Sequence, residues 1–285
     1  MELFRALAVL AEPPRDEVAQ VAEALALGGL PDESEYTETF VFQLYPYASV
    51  YLGAQGMLGG EARDLIDGFW RALGQSPPAE ADHLSVMLAL YARLVELEDD
   101  GGSAKQRWRH ARKAFLWEHL LSWLPAFLVK LNGAGAPFYR KWGEVLTAAL
   151  AAEAEEVGEP ETLPAHLRDA GGVIDPREGG TEEFLQSLLA PVRCGMILTR
   201  GDLNRAGRAL GLGLRMGERK FILRALFGQD AGAVLEWLEA EAAGWAKLHR
   251  QLHPSFAPVA RFWEERARDT ALLLRELKPT VKERA

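Results

Sequence analysis

Residues 115–131 read Phe-Leu-Trp-Glu-His-Leu-Leu-Ser-Trp-Leu-Pro-Ala-Phe-Leu-Val-Lys-Leu. Leu116, Leu120, Trp123, Phe127 and Leu131 recur every three or four positions, the spacing that lays one apolar stripe along an α-helix. The same period runs outward through Leu65, Ile66, Phe69, Trp70 and Leu73, and through Leu84, Met87, Leu88, Tyr91 and Leu94. Strand-like alternation is nearly absent. Gly and Pro cluster at Gly29–Pro31, Gly74–Pro78, Gly101–Gly102, Gly133–Pro137 and Gly171–Gly180, which marks these as connections between helices. An all-α helical bundle is predicted. Pro125 lies within the periodic stretch, where it removes a backbone donor and crowds the preceding turn, so a kink is predicted there.

With 48% hydrophobic and 26% charged residues in 285, the chain has enough apolar material for one or two cored domains and does not read as disordered. Glu118, His119 and Lys130 interrupt its most apolar stretch, which makes a bilayer crossing costly. Met1–Glu12 carries Glu2 and Arg5 within a short apolar run and reads as an amphipathic helix rather than an export signal. Cys194 is the sole cysteine, which excludes an intrachain disulfide and any multi-cysteine zinc or iron–sulfur site. These features predict a soluble cytoplasmic protein without membrane insertion.

The formal charge of −9 disfavours wholesale coating of nucleic acid. Residues 1–100 hold 18 acidic and 5 basic side chains, whereas residues 161–285 hold 17 acidic and 19 basic. The stretch 158–180 is weakly apolar and repeatedly broken by Pro and paired Gly, so it reads as a linker. A boundary near Glu161 divides the chain into domains 1–160 and 161–285. The acidic first part suits a cationic partner by electrostatic steering, although a plain solvated acidic surface has the same composition.

Phosphate-loop, nucleophile-elbow and His-Glu-x-x-His patterns are absent, and Gly211, Gly213 and Gly217 do not match the dinucleotide fingerprint. His249 and His253 sit four apart and share a helical face, but two imidazoles without a third ligand are weak evidence for zinc. No cofactor or metal is therefore expected. At 199–227, Thr199 and Asp202 suit a capping box, Gly211–Gly213 a turn, and Gly217–Phe227 a second helix. Seven basic and two acidic residues between Arg200 and Arg224 make this the alternative reading, a DNA-binding regulator with a helix-turn-helix-like segment. An ordinary helical hairpin with solvated arginines fits as well. A hydrolase or nucleotide enzyme using Asp82 and His83 as an acid/base pair is a further alternative, without a recognisable phosphate or nucleophile motif.

Three segments of the first part carry a more specific signal: Tyr-Pro-Tyr-Ala-Ser-Val-Tyr-Leu at 45–52, Glu-Ala-Asp-His-Leu at 80–84, and His-Leu-Leu-Ser-Trp-Leu-Pro-Ala-Phe at 119–127 followed by Phe138-Tyr139. Their order and spacing resemble the TorD/DmsD/NarJ family of redox-enzyme maturation chaperones over residues 36–150. The resemblance implies an all-helical cytoplasmic protein that binds the twin-arginine signal peptide or tail of a molybdenum-containing oxidoreductase and holds it until the cofactor is inserted. Its partner would be the molybdoenzyme catalytic subunit or that subunit's signal peptide. The family's motifs point to Pro46, Tyr47, Ser49, Asp82 and His83 for peptide binding, with Phe40 as the aromatic before the turn. Ala81 stands where relatives often carry Pro, and Met87 where they often carry Glu.

The same residues have a physical reading of their own. Tyr45, Tyr47 and Tyr51 combine apolar faces with hydrogen-bonding tips, which suits a groove for an apolar peptide segment. Asp82, just before a helical apolar run, is placed to cap that helix, and His83 then falls in its first turn, able to titrate near neutrality. Trp123 and Phe127 are spaced for a core stripe, although Trp123 also joins the candidate peptide groove. The expectation is a non-enzymatic binding protein whose tyrosines receive the apolar segment of a leader and whose carboxylates, Asp82 among them, engage its arginines.

Overall fold

The structure is a computed structural model that describes residues 2–282, the last four of them as backbone. It is all-α: among the described residues no strand forms, and one isolated antiparallel bridge pairs Tyr47 with His83. The chain divides into two compact units. Among the described residues the first comprises 2–49, 58–168 and 253–259; the second comprises 50–57, 169–252 and 260–282. The stretch 158–180 is structured, with one-turn helices at Ala165–Arg168 in the first unit and Pro176–Gly179 in the second.

The first unit is organised around the helix Leu84–Asp99, which is apolar on most of its circumference and buries Leu84, Met87, Leu88, Leu90, Tyr91, Leu94 and Val95. A helix of that kind must be covered on several sides. Glu2–Val9 and Lys105–Phe115 both pack along it, and Leu124–Ala134 pairs with Pro137–Val157. Arg112 is buried within this unit, where it bonds to Glu98, Glu153, Glu156 and the Tyr91 hydroxyl and so ties three helices together.

The kink predicted at Pro125 takes another form. Regular helix ends at Phe115, wide π-type turns run over Leu116–Leu121, and a fresh helix begins at Leu124 with Pro125 in its first turn. A proline is harmless in a first turn, where its missing N–H would have had no intrahelical partner. The chain therefore restarts a helix rather than bending one. The apolar stripe survives because Leu116, Leu120, Trp123, Phe127 and Leu131 are all buried.

In the second unit the helices Arg200–Ala209, Arg219–Phe227, Ala231–Arg250 and most of Ala257–Lys282 enclose a core of Leu203, Leu223, Leu226, Leu238 and Trp263. Thr199 and Asp202 form the predicted capping box. Gly195 ends the short helix Pro191–Cys194 with φ +71°, and a Cβ placed there would lie 2.3 Å from the Ala267 backbone nitrogen. Left-handed backbone and a close helix approach both demand glycine at this point. Gly195→Ala is expected to destabilise the second unit by about 2–3 kcal/mol, measured by urea denaturation; an unchanged midpoint would contradict the close approach.

Candidate functional site

Two motifs 36 positions apart are joined at the Tyr47–His83 bridge, where the Leu84 N–H donates to the Pro46 carbonyl at 2.8 Å and the Ala48 N–H donates to the Asp82 carbonyl at 3.0 Å. The bridge docks the Tyr-Pro-Tyr turn beside the start of the Leu84–Asp99 helix. Pro46 suits this position, since its carbonyl accepts a bond and no donor is asked of it.

Asp82 is buried, and its carboxylate accepts the Ser49 N–H at 3.3 Å. It thereby caps the first turn of Ala48–Leu52, a different helix from the one it precedes in sequence. The cap of Leu84–Asp99 is His83, whose Nδ1 accepts the Ser85 N–H at 3.3 Å. The Ser85 hydroxyl lies 2.7 Å from the same nitrogen and donates to Glu12, whose carboxylate is 3.7 Å from the imidazole. Burial lowers the His83 pKa below the usual histidine value, partly offset by the charges of Glu12, Glu80 and Asp82. A ring expected to titrate near neutrality is thus held towards its neutral form. The Ser49 hydroxyl accepts the Gly59 N–H at 3.0 Å, so Ser49 and Asp82 position the turn from beneath.

Tyr47 is half-buried and meets the His83 ring edge-on, with centroids 4.8 Å apart. Burial pushes its phenol up to about 12, and the charge and hydrogen bond of Glu80 add to this. Tyr36 is also half-buried, and its pKa is raised by burial and by the charges of Glu12 and Glu80. Glu80 is exposed and Glu12 partly so. Two tyrosine rings and two carboxylates at the water boundary therefore surround a buried Asp–His–Ser support.

Of the residues singled out from the sequence, Pro46, Tyr47, Ser49, Asp82 and His83 come together here, with Tyr45 half-buried alongside Pro46 in the chain. Phe40 and Trp123 do not reach the surface. The Phe40 ring lies 5.5 Å from Tyr36 and stacks on Phe127 at 6.4 Å, while Trp123 meets Phe127 at 5.3 Å and donates its indole N–H to the His119 carbonyl. They form an aromatic column beneath Tyr36. Tyr51 is buried in the second unit. Sequence reasoning missed Glu12, Tyr36 and Ser85, and Glu80 was quoted only as context. Glu12 is 71 positions from His83, and the sole trace of such a cluster in the sequence is the acid excess of residues 1–100.

The other sequence-based readings meet specific obstacles. The Asp82 carboxylate is buried and engaged by a backbone amide, so it stands neither as a free acid/base nor at the surface to meet a leader's arginines. His249 is fully buried with Nε2 donating to the Gly195 carbonyl at 2.8 Å, whereas His253 caps the turn Pro254–Phe256 beyond the helix end, so the two do not share a helical face. Among the described residues no group of three His, Cys, Asp or Glu side chains is arranged to hold a metal. In the 199–227 hairpin, Arg205 pairs with Asp202 and Glu241, Lys220 and Arg224 pair with Glu182, and Arg219 donates to backbone carbonyls of Leu198 and Gly56. Four of the seven cations that suggested a DNA reader are thus engaged within their own unit. No helix of the described residues is long and apolar enough to cross a membrane.

Comparison with known proteins bears on the same region. Residues 9–129 match the family model described as nitrate reductase delta subunit. Two curated relatives from Vibrio vulnificus, each named chaperone protein TorD, align over 96 residues, at 38% identity for strain YJ016 and 36% for strain CMCP6. Each alignment takes in 29% of this chain and 41% of the relative, so the chain spans about two fifths of the length of the curated relatives it matches.

Proposed function

We propose, on the premise that the chain belongs through residues 9–129 to the TorD-like nitrate reductase delta subunit family, that it is a cytoplasmic maturation chaperone for a redox enzyme. It binds the twin-arginine signal peptide or tail of a molybdenum-containing oxidoreductase reversibly and withholds that client until its cofactor is in place. Binding and release require no bond-making, so the role is non-catalytic. The chaperone role is carried by residues 1–160, with 161–285 as a helical extension.

The observation that carries this reading is the bridge that sets Tyr47 beside His83 and brings Glu12 and Glu80 to the same edge as Tyr36 and Tyr47. Guanidinium groups combine favourably with carboxylates and with aromatic faces, and a site offering both suits arginine-bearing peptide better than a simple acidic surface does. Tyr45 and Tyr47 supply contact area for the leader's apolar segment. Pro46, Ser49, Asp82 and His83 hold the turn, and Phe40 and Trp123 back it from the core.

The test is titration of a twin-arginine leader peptide into the intact protein by calorimetry. Glu12→Gln with Glu80→Gln is expected to weaken binding by about tenfold or more, with the deficit shrinking at high salt as screening removes the charge contribution. Tyr47→Ala is expected to weaken it comparably while helical content stays near wild type. The reading fails if the leader does not bind, or if a leader whose arginines are replaced by alanine binds equally well.

A further inference from the structure

Residues 213–218, Gly-Leu-Arg-Met-Gly-Glu, are six consecutive exposed positions between the helices Arg200–Ala209 and Arg219–Phe227 of the second unit. Met216 exposes 96% of its surface, and Leu214 and Phe221 expose 44% and 50%. Single apolar residues on a surface are ordinary, but three large exposed ones within eight positions of one loop and the helix it enters are a concentration of the kind that marks a contact surface.

The loop is held in place. Gln229 clamps its base: its amide oxygen accepts the Gly213 N–H at 2.6 Å, and its nitrogen donates to the carbonyls of Gly213 at 3.0 Å and Ala225 at 2.9 Å. Leu214 leans on Gly207, where any Cβ would come within 2.3 Å of its methyl group. Gly217, at φ +146°, lies against the Phe221 ring. A fixed base with an apolar apex in water is a presented surface rather than a slack connection. Arg215 within the loop and Arg208 near the end of the preceding helix are exposed and have no hydrogen bond or ion pair among the described residues, in contrast to the engaged Arg205, Lys220 and Arg224. Glu218 is the one carboxylate within the loop.

We propose that this loop is a peripheral docking site for an anionic lipid bilayer, with Leu214, Met216 and Phe221 entering the interfacial zone and Arg208 and Arg215 meeting lipid phosphates. A protruding methionine needs a surface that yields around it, and a bilayer does so. Arg215 between Leu214 and Met216, with Arg208 on the helix that leads into the loop, matches the charge and polarity order of headgroup over acyl chain. A nucleic-acid groove would use the arginines but leave Met216 without a partner. The contact is superficial, adds to the peptide site without depending on it, and is salt-sensitive because salt screens the attraction between the arginines and lipid phosphates, which must act against an overall chain charge of −9.

The test is co-sedimentation of the full chain with phosphatidylcholine vesicles containing phosphatidylglycerol and with phosphatidylcholine vesicles alone. Binding to the anionic vesicles is expected, weakened about tenfold or more on neutral ones. Met216→Asp is expected to reduce partitioning about tenfold or more, and Arg208→Glu with Arg215→Glu to erase the preference for phosphatidylglycerol. All three positions are exposed, so circular dichroism should match wild type. The proposal is overturned if anionic vesicles do not retain the protein, or if Met216→Asp binds them as wild type does. It is equally overturned if vesicles fail while duplex DNA is retained through the two arginines, or while Met216→Asp abolishes a dimer in solution.

Discussion

Replacing Arg112 by alanine is expected to lower the stability of the first unit by about 3–5 kcal/mol. Arg112 is 3% exposed and faces Glu98, Glu153 and Glu156 together with the Tyr91 hydroxyl, from the helices Leu84–Asp99 and Pro137–Val157. Burial alone would lower the guanidinium pKa, but hydrogen bonds to Glu156, Tyr91 and Glu153 raise it above its ordinary value. Without it, Glu98, itself 3% exposed, keeps among the described residues the bond from the half-exposed Arg109 at 3.2 Å, and Glu153 and Glu156 lose their shared guanidinium. Stranding a buried charge is more costly than never having placed one there. Arg112→Met combined with Glu98→Met is therefore expected to recover much of the loss shown by Arg112→Met alone. Urea denaturation of the three variants decides the matter. A loss below about 1 kcal/mol for Arg112→Ala would mean that the network behaves like a surface ion pair.

The second large effect is acid lability from two buried, neutral histidines, one in each unit. His119 lies among Phe69, Phe115 and His166, with its Nδ1 buried and without a hydrogen-bond partner among the described residues. Burial holds its pKa down to about 3, with His166 adding a smaller push. His249 sits between Trp245 and Trp263, and burial holds it down to about 4 despite its bond to the Gly195 carbonyl and the charge of Glu264. Both rings titrate near 6.5 when unfolded. The unfolded chain therefore binds more protons below that pH, so the stabilisation is complete above about 6.5 and is lost as pH falls towards 4 and 3. At pH 5 each histidine should cost about 2 kcal/mol relative to pH 7.5, and His83, also lowered, adds in the same direction.

Between pH 7.5 and 5 ordinary carboxylates stay largely ionised, so this interval isolates the histidines. His119→Phe keeps an aromatic ring, somewhat larger, among the same neighbours and removes the orphaned nitrogen. It is expected to flatten the fall in the first unit's urea midpoint over this interval while leaving that of the second unit in place. An unchanged slope would show that His119 does not carry the effect.

The helical class, the apolar stripes of 84–94 and 115–131 and the Thr199–Asp202 capping box were all readable from spacing and residue type, because each depends on neighbours within one or two turns. Pro125 shows how far such reading extends. Its rule, that proline is unwelcome inside a helix, was correct, but the choice between a kink and a new start depended on the π-type turns that Leu116–Leu121 adopt within the core. Asp82 shows the same limit at the site. Its suitability as a cap was evident, yet it caps Ala48–Leu52, because the Tyr47–His83 bridge brings that helix to it.

The one-dimensional chain thus determined the helical class, the buried stripes at 84–94 and 115–131, and that the first hundred positions carry an excess of acid, but not that Phe40 and Tyr51 are core residues or that Leu65 is exposed. Only tertiary structure decided where that acid gathers, since the Glu12, Glu80, Tyr36 and Tyr47 cluster draws on separate segments joined through contacts distant in sequence. It also decided which of seven basic residues in the 199–227 hairpin are spent on Glu182, Glu241 and backbone carbonyls and which, Arg208 and Arg215 among them, are not. Periodicity follows from local backbone geometry, whereas pairing of charges depends on distances across the fold, which residue order alone does not set.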